Sequence, residues 1–172
     1  MAEVRKIKLE IVTPSGIALA ETVDEFTAPS VEGEFGVLPG HRPLMASLKT
    51  GIVSFHKGNV ETRVAVGSGF VEVFEDRAVV LTDRVATKEQ VDVVRVRLDL
   101  KEVTEELMRY PGEAGDTEYC ALAARQMWDA AQLDLYGDPP PATLGFVGLE
   151  AAPVDRYREG KGTVGKGDEP TD

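Results

Sequence analysis

Hydrophobic and polar residues alternate along the first half of the chain. In the segment KIKLEIV (6–12), Ile7, Leu9 and Ile11 fall on one side of an extended backbone and charged residues fall on the other. A period of two predicts a β-strand with one solvated face. Short runs of the same kind recur up to residue 86, with Gly-rich turns between them. Many short strands with tight turns favour a β-sandwich or a barrel.

The hydrophobic period lengthens after Thr87. The sequence from Thr87 to Gln90 has the form of a capping box, which predicts that a helix begins there. Apolar residues then recur every three or four positions, as in the buried seam of a helix: Val93, Val96, Leu100, Val103 and Leu107. A strand is the alternative, because valines are frequent here and apolar and charged residues also alternate. The capping box and the seam favour the helix.

A second helix is predicted between two breaks in the chain. Pro111-Gly112 ends the first helix, and Gly137, followed by Asp138 and three prolines, ends the second. Asp116 stands where it could cap the first amides of the second helix. The spacing predicts an apolar stripe on this helix: Cys120, Ala124, Met127, Ala131 and Leu135. A short connection between two such helices predicts an antiparallel hairpin.

These patterns divide the chain into three predicted parts. Residues 1–87 form a body of β-strands, residues 88–137 a helical hairpin, and residues 138–172 a tail rich in Gly, Pro and charge. We expect the tail to be disordered. It contains GKGTVGKG (160–167), which has the glycine spacing of a phosphate-binding loop. It lacks the flanking strand and helix, and the hydroxyl that would bind magnesium, so we do not interpret it as a nucleotide site.

Composition narrows the possible functions. The formal net charge of -11 argues against a nucleic-acid partner, because affinity for phosphates comes from Lys and Arg. A single cysteine, Cys120, excludes an internal disulfide and paired-cysteine zinc sites, and favours a cytosolic location. No stretch approaches the roughly 18 apolar residues of a membrane-spanning helix, and none has the length of a signal peptide. We therefore expect no direct membrane insertion.

Residues that could carry out catalysis are few. The two histidines, His41 and His56, have no nucleophile that the sequence places beside them, so neither a triad nor a metal site is indicated. The sequence GSG (67–69) lacks the third glycine of a dinucleotide-binding loop and is interpreted as a turn or bulge. Segment 31–53, VEGEFGVLPGHRPLMASLKTGIV, has four glycines and two prolines, which rule out a helix and predict an irregular but fixed structure.

The same segment resembles a family signature. EGEFGVLPGHRPLMASLKTG (32–51) is similar to the pattern Glu-Gly-Glu-Leu/Phe-Gly-hydrophobic-x-Pro-Gly-His-x-Pro-Leu of the epsilon subunit of bacterial F-type ATP synthases. The resemblance continues through residues 64–86 and into the second predicted helix, and it leaves out the tail. It implies a two-sheet β-sandwich followed by a C-terminal antiparallel helical hairpin, in agreement with the periodicity.

The resemblance also implies a function without bond chemistry and without a resident cofactor. The chain would be a central-stalk subunit that couples rotation of the c-ring to the gamma subunit, with the alpha/beta head as a further partner through the hairpin. Its location would be the cytoplasmic face of the bacterial inner membrane. Carried over by position, the residues facing the c-ring are Glu34, Phe35, Pro39, Gly40 and His41. A tight turn with no partner is the structural alternative for them.

Regulation in the resembling proteins involves the hairpin, which can extend and block ATP hydrolysis. Some of these proteins bind ATP through Asp-x-x-Arg-Ala in the first helix and arginines on the second. Asp92 and Arg95 match that motif, Val96 replaces its alanine, and Arg125 is the only arginine between residues 117 and 136. We therefore expect ATP to be at most a weak regulatory ligand, and an exposed charged helix face is the alternative. Because the second helix is acidic, we also expect weak inhibition.

Two other classes of function stay open from sequence alone. One is a free regulatory β-sandwich adaptor, and the other is a small-molecule-binding sandwich enzyme. The enzyme would need converging polar ligands, which two separated histidines and one cysteine do not supply. The adaptor differs from a rotor subunit because it would not co-purify with a gamma subunit or with washed membranes.

Overall fold

The computed structural model describes residues 5–140, which contain ten β-strands and two α-helices. The strands are β1 (Ile7–Thr13), β2 (Gly16–Val23), β3 (Glu25–Ser30), β4 (Gly33–Val37), β5 (Leu44–Leu48), β6 (Gly51–Lys57), β7 (Val60–Val66), β8 (Gly69–Phe74), β9 (Arg77–Thr82) and β10 (Val85–Ala86). The helices are α1 (Val93–Met108) and α2 (Thr117–Tyr136), and a short 3-10 turn, Lys88–Gln90, precedes α1.

The ten strands are hydrogen-bonded in one continuous sheet, which folds over into two layers with a shared core; we call these layers the first and the second sheet. The first sheet has the order β10-β7-β6-β3-β4 and the second the order β5-β8-β9-β1-β2. The pair formed by Ser30 and Leu48 joins them. β1 and β9 are parallel, whereas the other strand pairs are antiparallel. The predicted fold class, a β-sandwich followed by an antiparallel helical hairpin, is confirmed.

The core of the sandwich follows the period of two. Ile7, Leu9 and Ile11 are buried on β1, as their alternation predicts. The largest buried side chains are Phe26 and Phe55, which are cross-strand partners on β3 and β6. Residues of both sheets belong to this one apolar cluster. Burial of apolar surface between the two sheets is therefore what holds them together.

The helical hairpin lies folded against the outer face of the first sheet. Its seam residues Val96, Leu100 and Val103 are buried in a second apolar cluster. That cluster includes Ala65 of β7, with Ile52 of β6 packed against it. The helix predicted after Thr87 is confirmed, and the strand alternative is wrong. The folded position of the hairpin was not predictable from its sequence, because the hairpin's apolar face says nothing about which surface covers it.

The start of α1 differs from its prediction. The Gln90 side chain accepts a hydrogen bond from the Thr87 backbone N–H at 2.9 Å, as a capping box requires, but only a 3-10 turn follows. The α-helix begins at Val93, where the Asp92 carboxylate accepts a hydrogen bond from the Arg95 N–H at 3.1 Å. Two successive caps therefore mark this end, and the second one starts the α-helix.

The predicted apolar stripe of α2 is wrong at its N-terminal end. Cys120 and Ala124 are exposed, and the residues that face inward there are Tyr119, Ala123 and Gln126. Gln126 is buried because its side-chain amide donates a hydrogen bond to the Thr104 hydroxyl on α1 at 3.0 Å. A polar residue can be buried when it has such a partner, so hydrophobicity alone placed the stripe one position away.

Asp116 occupies the N-cap position of α2 without capping its amides. Its carboxylate accepts hydrogen bonds from the Glu113 N–H at 3.1 Å and from the Tyr110 hydroxyl at 3.3 Å. The prediction that this side chain caps the helix is therefore wrong, and its bonds order the interhelical connection instead.

The Gly- and Pro-rich segment 31–53 is more regular than predicted. It contains β4, β5 and the start of β6, and its longest connection without strand structure is residues 38–43. The turn interpretation of the GSG segment is confirmed, because Gly67 and Ser68 separate β7 from β8. A Cβ on Gly69 would collide with the Leu81 carbonyl oxygen, so only glycine fits there. The predicted disorder of the tail and the sequence at 160–167 lie outside the described residues.

Candidate functional site

The connection between β4 and β5 is a fixed turn, which we call the 38–43 loop. The His41 N–H donates a hydrogen bond to the Leu38 carbonyl at 3.0 Å. Gly40 has φ +80°, a conformation that side chains other than glycine rarely adopt. The imidazole Nδ1 of His41 donates to the Arg42 carbonyl at 2.7 Å, since a carbonyl oxygen can only accept.

An acidic side chain from another hairpin anchors this loop. The Gly40 N–H donates a hydrogen bond to the Asp76 carboxylate at 2.5 Å. The Arg5 guanidinium donates two more bonds to Asp76, at 3.0 and 2.6 Å. These contacts, first the Gly40 bond and then Arg5, lower the pKa of Asp76 below its ordinary value. The loop is therefore tied directly to the β8–β9 turn and, through Asp76, to Arg5 just before β1.

Sequence reasoning missed the anchor. Asp76 is 36 residues from Gly40 and 71 from Arg5, so no local motif joins them. One signal was available in the sequence, because Glu75-Asp76 separates two apolar runs and so indicates a turn. In the structure these residues have φ +48° and +58°, and Asp is among the residues that tolerate that conformation.

The residues predicted to face the c-ring separate into two groups. Pro39, Gly40 and His41 share the 38–43 loop. Glu34 is exposed on β4, opposite Pro29 and next to the β3–β4 turn, and so lies toward the other end of that strand. Phe35 is half-buried and packs against the sandwich core.

We predict that replacing Asp76 with alanine will speed hydrogen exchange of the Gly40 amide at least about tenfold, because that amide loses its acceptor. Nuclear magnetic resonance at fixed pH measures the rate. A carboxylate with a lowered pKa keeps its contacts above the ordinary value of 3.8 and loses them as the pH falls through the lower folded value. The unmodified chain should therefore come to resemble the variant in acid. Glu75→Ala is the matched control, and equal exchange in both variants would contradict the anchor.

The outer face of the second sheet carries an exposed line of apolar side chains, which we call the apolar row. Its members are cross-strand partners on four adjacent strands: Phe70 on β8, Leu81 on β9, Val12 on β1 and Ile17 on β2. Phe70, Leu81 and Ile17 are 55%, 48% and 66% exposed. Met45, on neighbouring β5, is exposed as well. Contiguous exposed apolar surface is typical of protein interaction sites.

The two arginines of the predicted nucleotide site meet at one carboxylate. Arg95 Nε lies 3.7 Å from one oxygen of Asp99, and an Arg125 guanidinium nitrogen lies 3.8 Å from the other. Arg125 also lies 3.6 Å from Glu102. Asp92 is not part of this group, because its carboxylate caps α1. The arginines are thus on adjacent faces of the hairpin, and acidic side chains already accompany them.

Other site types find no support in residues 5–140. That part of the chain has no group of three or more His, Cys, Asp or Glu side chains that could hold a metal ion. Neither of the two helices is both long enough and apolar enough to cross a membrane.

The fold and its surfaces define a β-sandwich with an anchored Gly/Pro loop, an exposed apolar row and a docked helical hairpin. Residues 6–88 match the family described as ATP synthase, Delta/Epsilon chain, beta-sandwich domain. The chain is 46% identical over 96 residues to ATP synthase epsilon chain 2 of Syntrophotalea carbinolica, a match that covers 56% of this chain and 70% of the relative. It is 40% identical over 113 residues to the ATP synthase epsilon chain of Geotalea uraniireducens, with coverages of 66% and 80%.

A solved structure has the same fold. A chain of the Euglena gracilis mitochondrial ATP synthase, from the cryo-EM structure of OSCP/F1/c-ring in rotational state 1, superposes with a TM-score of 0.58 at 22% identity. The match covers 77% of this chain and 78% of that one. The chain belongs to the family of ATP synthase epsilon chains, non-catalytic subunits of that enzyme. The family inferred from the 32–51 segment is thereby confirmed, and the adaptor and enzyme alternatives are not favoured.

Proposed function

We propose that this chain joins the c-ring of a proton-translocating ATP synthase to its gamma subunit, in the central stalk on the cytoplasmic face of the bacterial inner membrane. Membership of the epsilon-chain family supports the proposal. The observation that carries it furthest is the 38–43 loop, whose sequence matches the family signature and which Asp76 and Arg5 hold in one conformation. A part that transmits torque between two others needs contacts of this rigid kind.

The 38–43 loop is the proposed c-ring contact. A turn that is already ordered loses little conformational entropy when a partner binds, so more of the contact energy remains as affinity. Pro39, Gly40 and His41 form this ordered surface. Glu34 contributes a separate exposed carboxylate from β4, and Phe35 supports that strand from the core.

The apolar row is the proposed gamma contact. It is an aromatic and aliphatic surface on the outer face of the second sheet, away from the face of the first sheet that the hairpin covers. Aromatic residues are enriched in the buried centres of protein interfaces, and Phe70 is the exposed aromatic residue of the row. We assign residues 1–87 to rotor binding and residues 88–137 to regulation through the alpha/beta head.

Co-purification tests this proposal. The full chain, expressed together with the gamma subunit of the same organism, should elute with it in one complex and should remain on washed membranes that contain the assembled enzyme. A chain that stays in the soluble fraction and elutes alone would contradict the proposal and would favour a free adaptor.

We propose that the hairpin inhibits ATP hydrolysis only weakly. Between Asp116 and Tyr136, Arg125 is the sole basic residue, and Asp99 and Glu102 already lie beside it. An acidic helix binds poorly to an acidic surface of the head. Deleting residues 88–172 should therefore raise the hydrolysis rate of the assembled enzyme by no more than about twofold. Deletion of residues 141–172 alone is the control, and a rise of about tenfold in the larger deletion would overturn the proposal.

We also propose that ATP binds this hairpin weakly. The phosphates would have to compete with Asp99 for both Arg95 and Arg125. Calorimetric titration of the full chain should give a Kd of about 1 mM or weaker. Asp99→Asn removes the carboxylate that both arginines share, leaving Arg125 with Glu102, and should tighten binding, which makes it the informative comparison. Micromolar affinity in the unmodified chain would contradict the proposal.

A further inference from the structure

Asp129 is a buried carboxylate in the interface through which α2 packs. The residue is only 5% exposed. Its Oδ1 accepts one long hydrogen bond, 3.5 Å from the Gln132 side-chain nitrogen, and its Oδ2 has no partner. Among residues 5–140, Oδ2 is the one buried side-chain oxygen or nitrogen in this condition. An ionised carboxylate without partners is costly to bury, whereas the protonated form costs much less.

Charged groups from the neighbouring elements do not neutralise Asp129. From α1, Asp99 faces it with a like charge. On α2 itself, Arg125 is shared between Asp99 and Glu102. Arg84, in the β9–β10 connection, pairs with Asp83 at 2.9 Å.

The remaining charged groups of the docked face also have other partners. Arg63 of β7 lies 3.6 Å from Asp134, one helical turn and more beyond Asp129. Lys88 of the 3-10 turn lies over the Tyr136 ring at 5.4 Å. Asp129 is therefore a carboxylate on α2 that the docked arrangement both buries and leaves without an ion pair.

We propose that Asp129 makes the position of the hairpin sensitive to pH: the hairpin is held against the sandwich when this carboxyl is protonated and is released more readily when it is ionised.

The direction follows from proton linkage. Burial first, and then the charge of Asp99, raise the pKa of Asp129 from 3.8 to about 6, against the opposing effect of Arg125 and Arg84. Release from the sandwich removes burial, the larger cause, whereas Asp99 on α1 moves with the hairpin, so the pKa of Asp129 falls back toward its ordinary value. The docked state thus binds the proton more tightly, so docking strengthens as the pH falls. Between pH 8 and pH 5 the docking equilibrium should shift by up to about tenfold toward the docked state.

The chain contains its own reporters of docking. It has one tryptophan, Trp128, whose ring lies 5.5 Å from the Arg84 guanidinium across the hairpin–sandwich interface. Cys120 is the single cysteine and is exposed, so a probe can be attached there. A second probe at Ser15→Cys, in the exposed β1–β2 turn, gives a distance from the hairpin to the sandwich.

The experiment follows Trp128 emission and the probe-to-probe distance in the full chain from pH 5 to pH 8. We expect a red shift and a longer distance at high pH, with a midpoint near 6. Asp129→Asn, which has nearly the same shape and no charge, should stay docked across the range. Asp134→Asn is the matched control on the same helix and should keep the transition.

Two results would overturn the inference. One is an unchanged transition in Asp129→Asn, which would assign it to another titrating group. The other is a distance that does not vary with pH in the unmodified chain. Asp99→Asn provides an independent check should Asp129→Asn fold poorly, because removing the like charge should move the midpoint to lower pH. The measurement uses the isolated chain, so its failure leaves the proposed binding to gamma and the c-ring untouched.

Discussion

Replacing Leu81 with aspartate will lower the affinity of the chain for the gamma subunit by about 100-fold, or about 3 kcal/mol. Leu81 lies inside the apolar row, between Phe70 and Val12 on the adjacent strands. An aspartate there would be buried without a partner in the complex, which is the costly condition for a charge in an interface. The free chain should tolerate the change, because the side chain is 48% exposed. Titration of labelled chain with purified gamma subunit measures the loss.

A matched variant separates the row from general effects of added charge. Val60 is 64% exposed on β7, in the first sheet, and Val60→Asp adds the same charge outside the row. It should bind gamma with nearly unchanged affinity. Phe70→Asp should behave like Leu81→Asp. Equal affinities for the Leu81 and Val60 variants would refute the assignment of the row to gamma.

Replacing Phe55 with alanine will lower the free energy of unfolding by about 3–5 kcal/mol. The ring is 2% exposed and faces its cross-strand partner Phe26, which is 1% exposed. Both belong to the cluster that joins the two sheets. Removing the ring loses its transfer free energy and leaves a cavity that neighbouring side chains fill only in part. Urea denaturation, followed by circular dichroism, measures the change.

The control for Phe55 is the same substitution at an exposed phenylalanine. Phe74, at the end of β8, is 52% exposed, so Phe74→Ala should cost about 1 kcal/mol or less. A loss of similar size in both variants would show that the cavity is not the cause. Because Phe74 lies outside the apolar row, this control should also leave gamma binding intact.

Sequence periodicity predicted the elements that have one buried face. Buried and exposed residues alternate along β1 as predicted, and the α1 seam is buried at the positions that the three- and four-residue spacing indicated. The predicted stripe of α2 is wrong because this helix packs on two sides, against α1 and against the first sheet. Positions around more of its circumference are therefore buried. Polar partners add to this, since the Thr104 hydroxyl makes a buried Gln126 possible. No single stripe describes such a helix.

The candidate site was predictable only where it is local in sequence. The 32–51 segment identified the 38–43 loop through its Gly and Pro pattern and its family resemblance. The Asp76 anchor and the apolar row were not predictable, because each unites residues from strands far apart in the chain. Strand register creates the row, since Phe70, Leu81 and Val12 become neighbours only once β8, β9 and β1 pair. Neither period nor composition encodes that register.

The bond between Gly40 and Asp76 has a mechanical consequence. Asp76 sits in the turn between β8 and β9, and those two strands also carry Phe70 and Leu81. A force applied at the proposed ring contact therefore enters the same hairpin that presents the proposed shaft contact, without first crossing the sandwich core. The connection from the 38–43 loop through Asp76 to the apolar row is therefore as stiff as the hydrogen-bonded strands β8 and β9. The helical hairpin lies on the other sheet, so it can change position without loosening this connection.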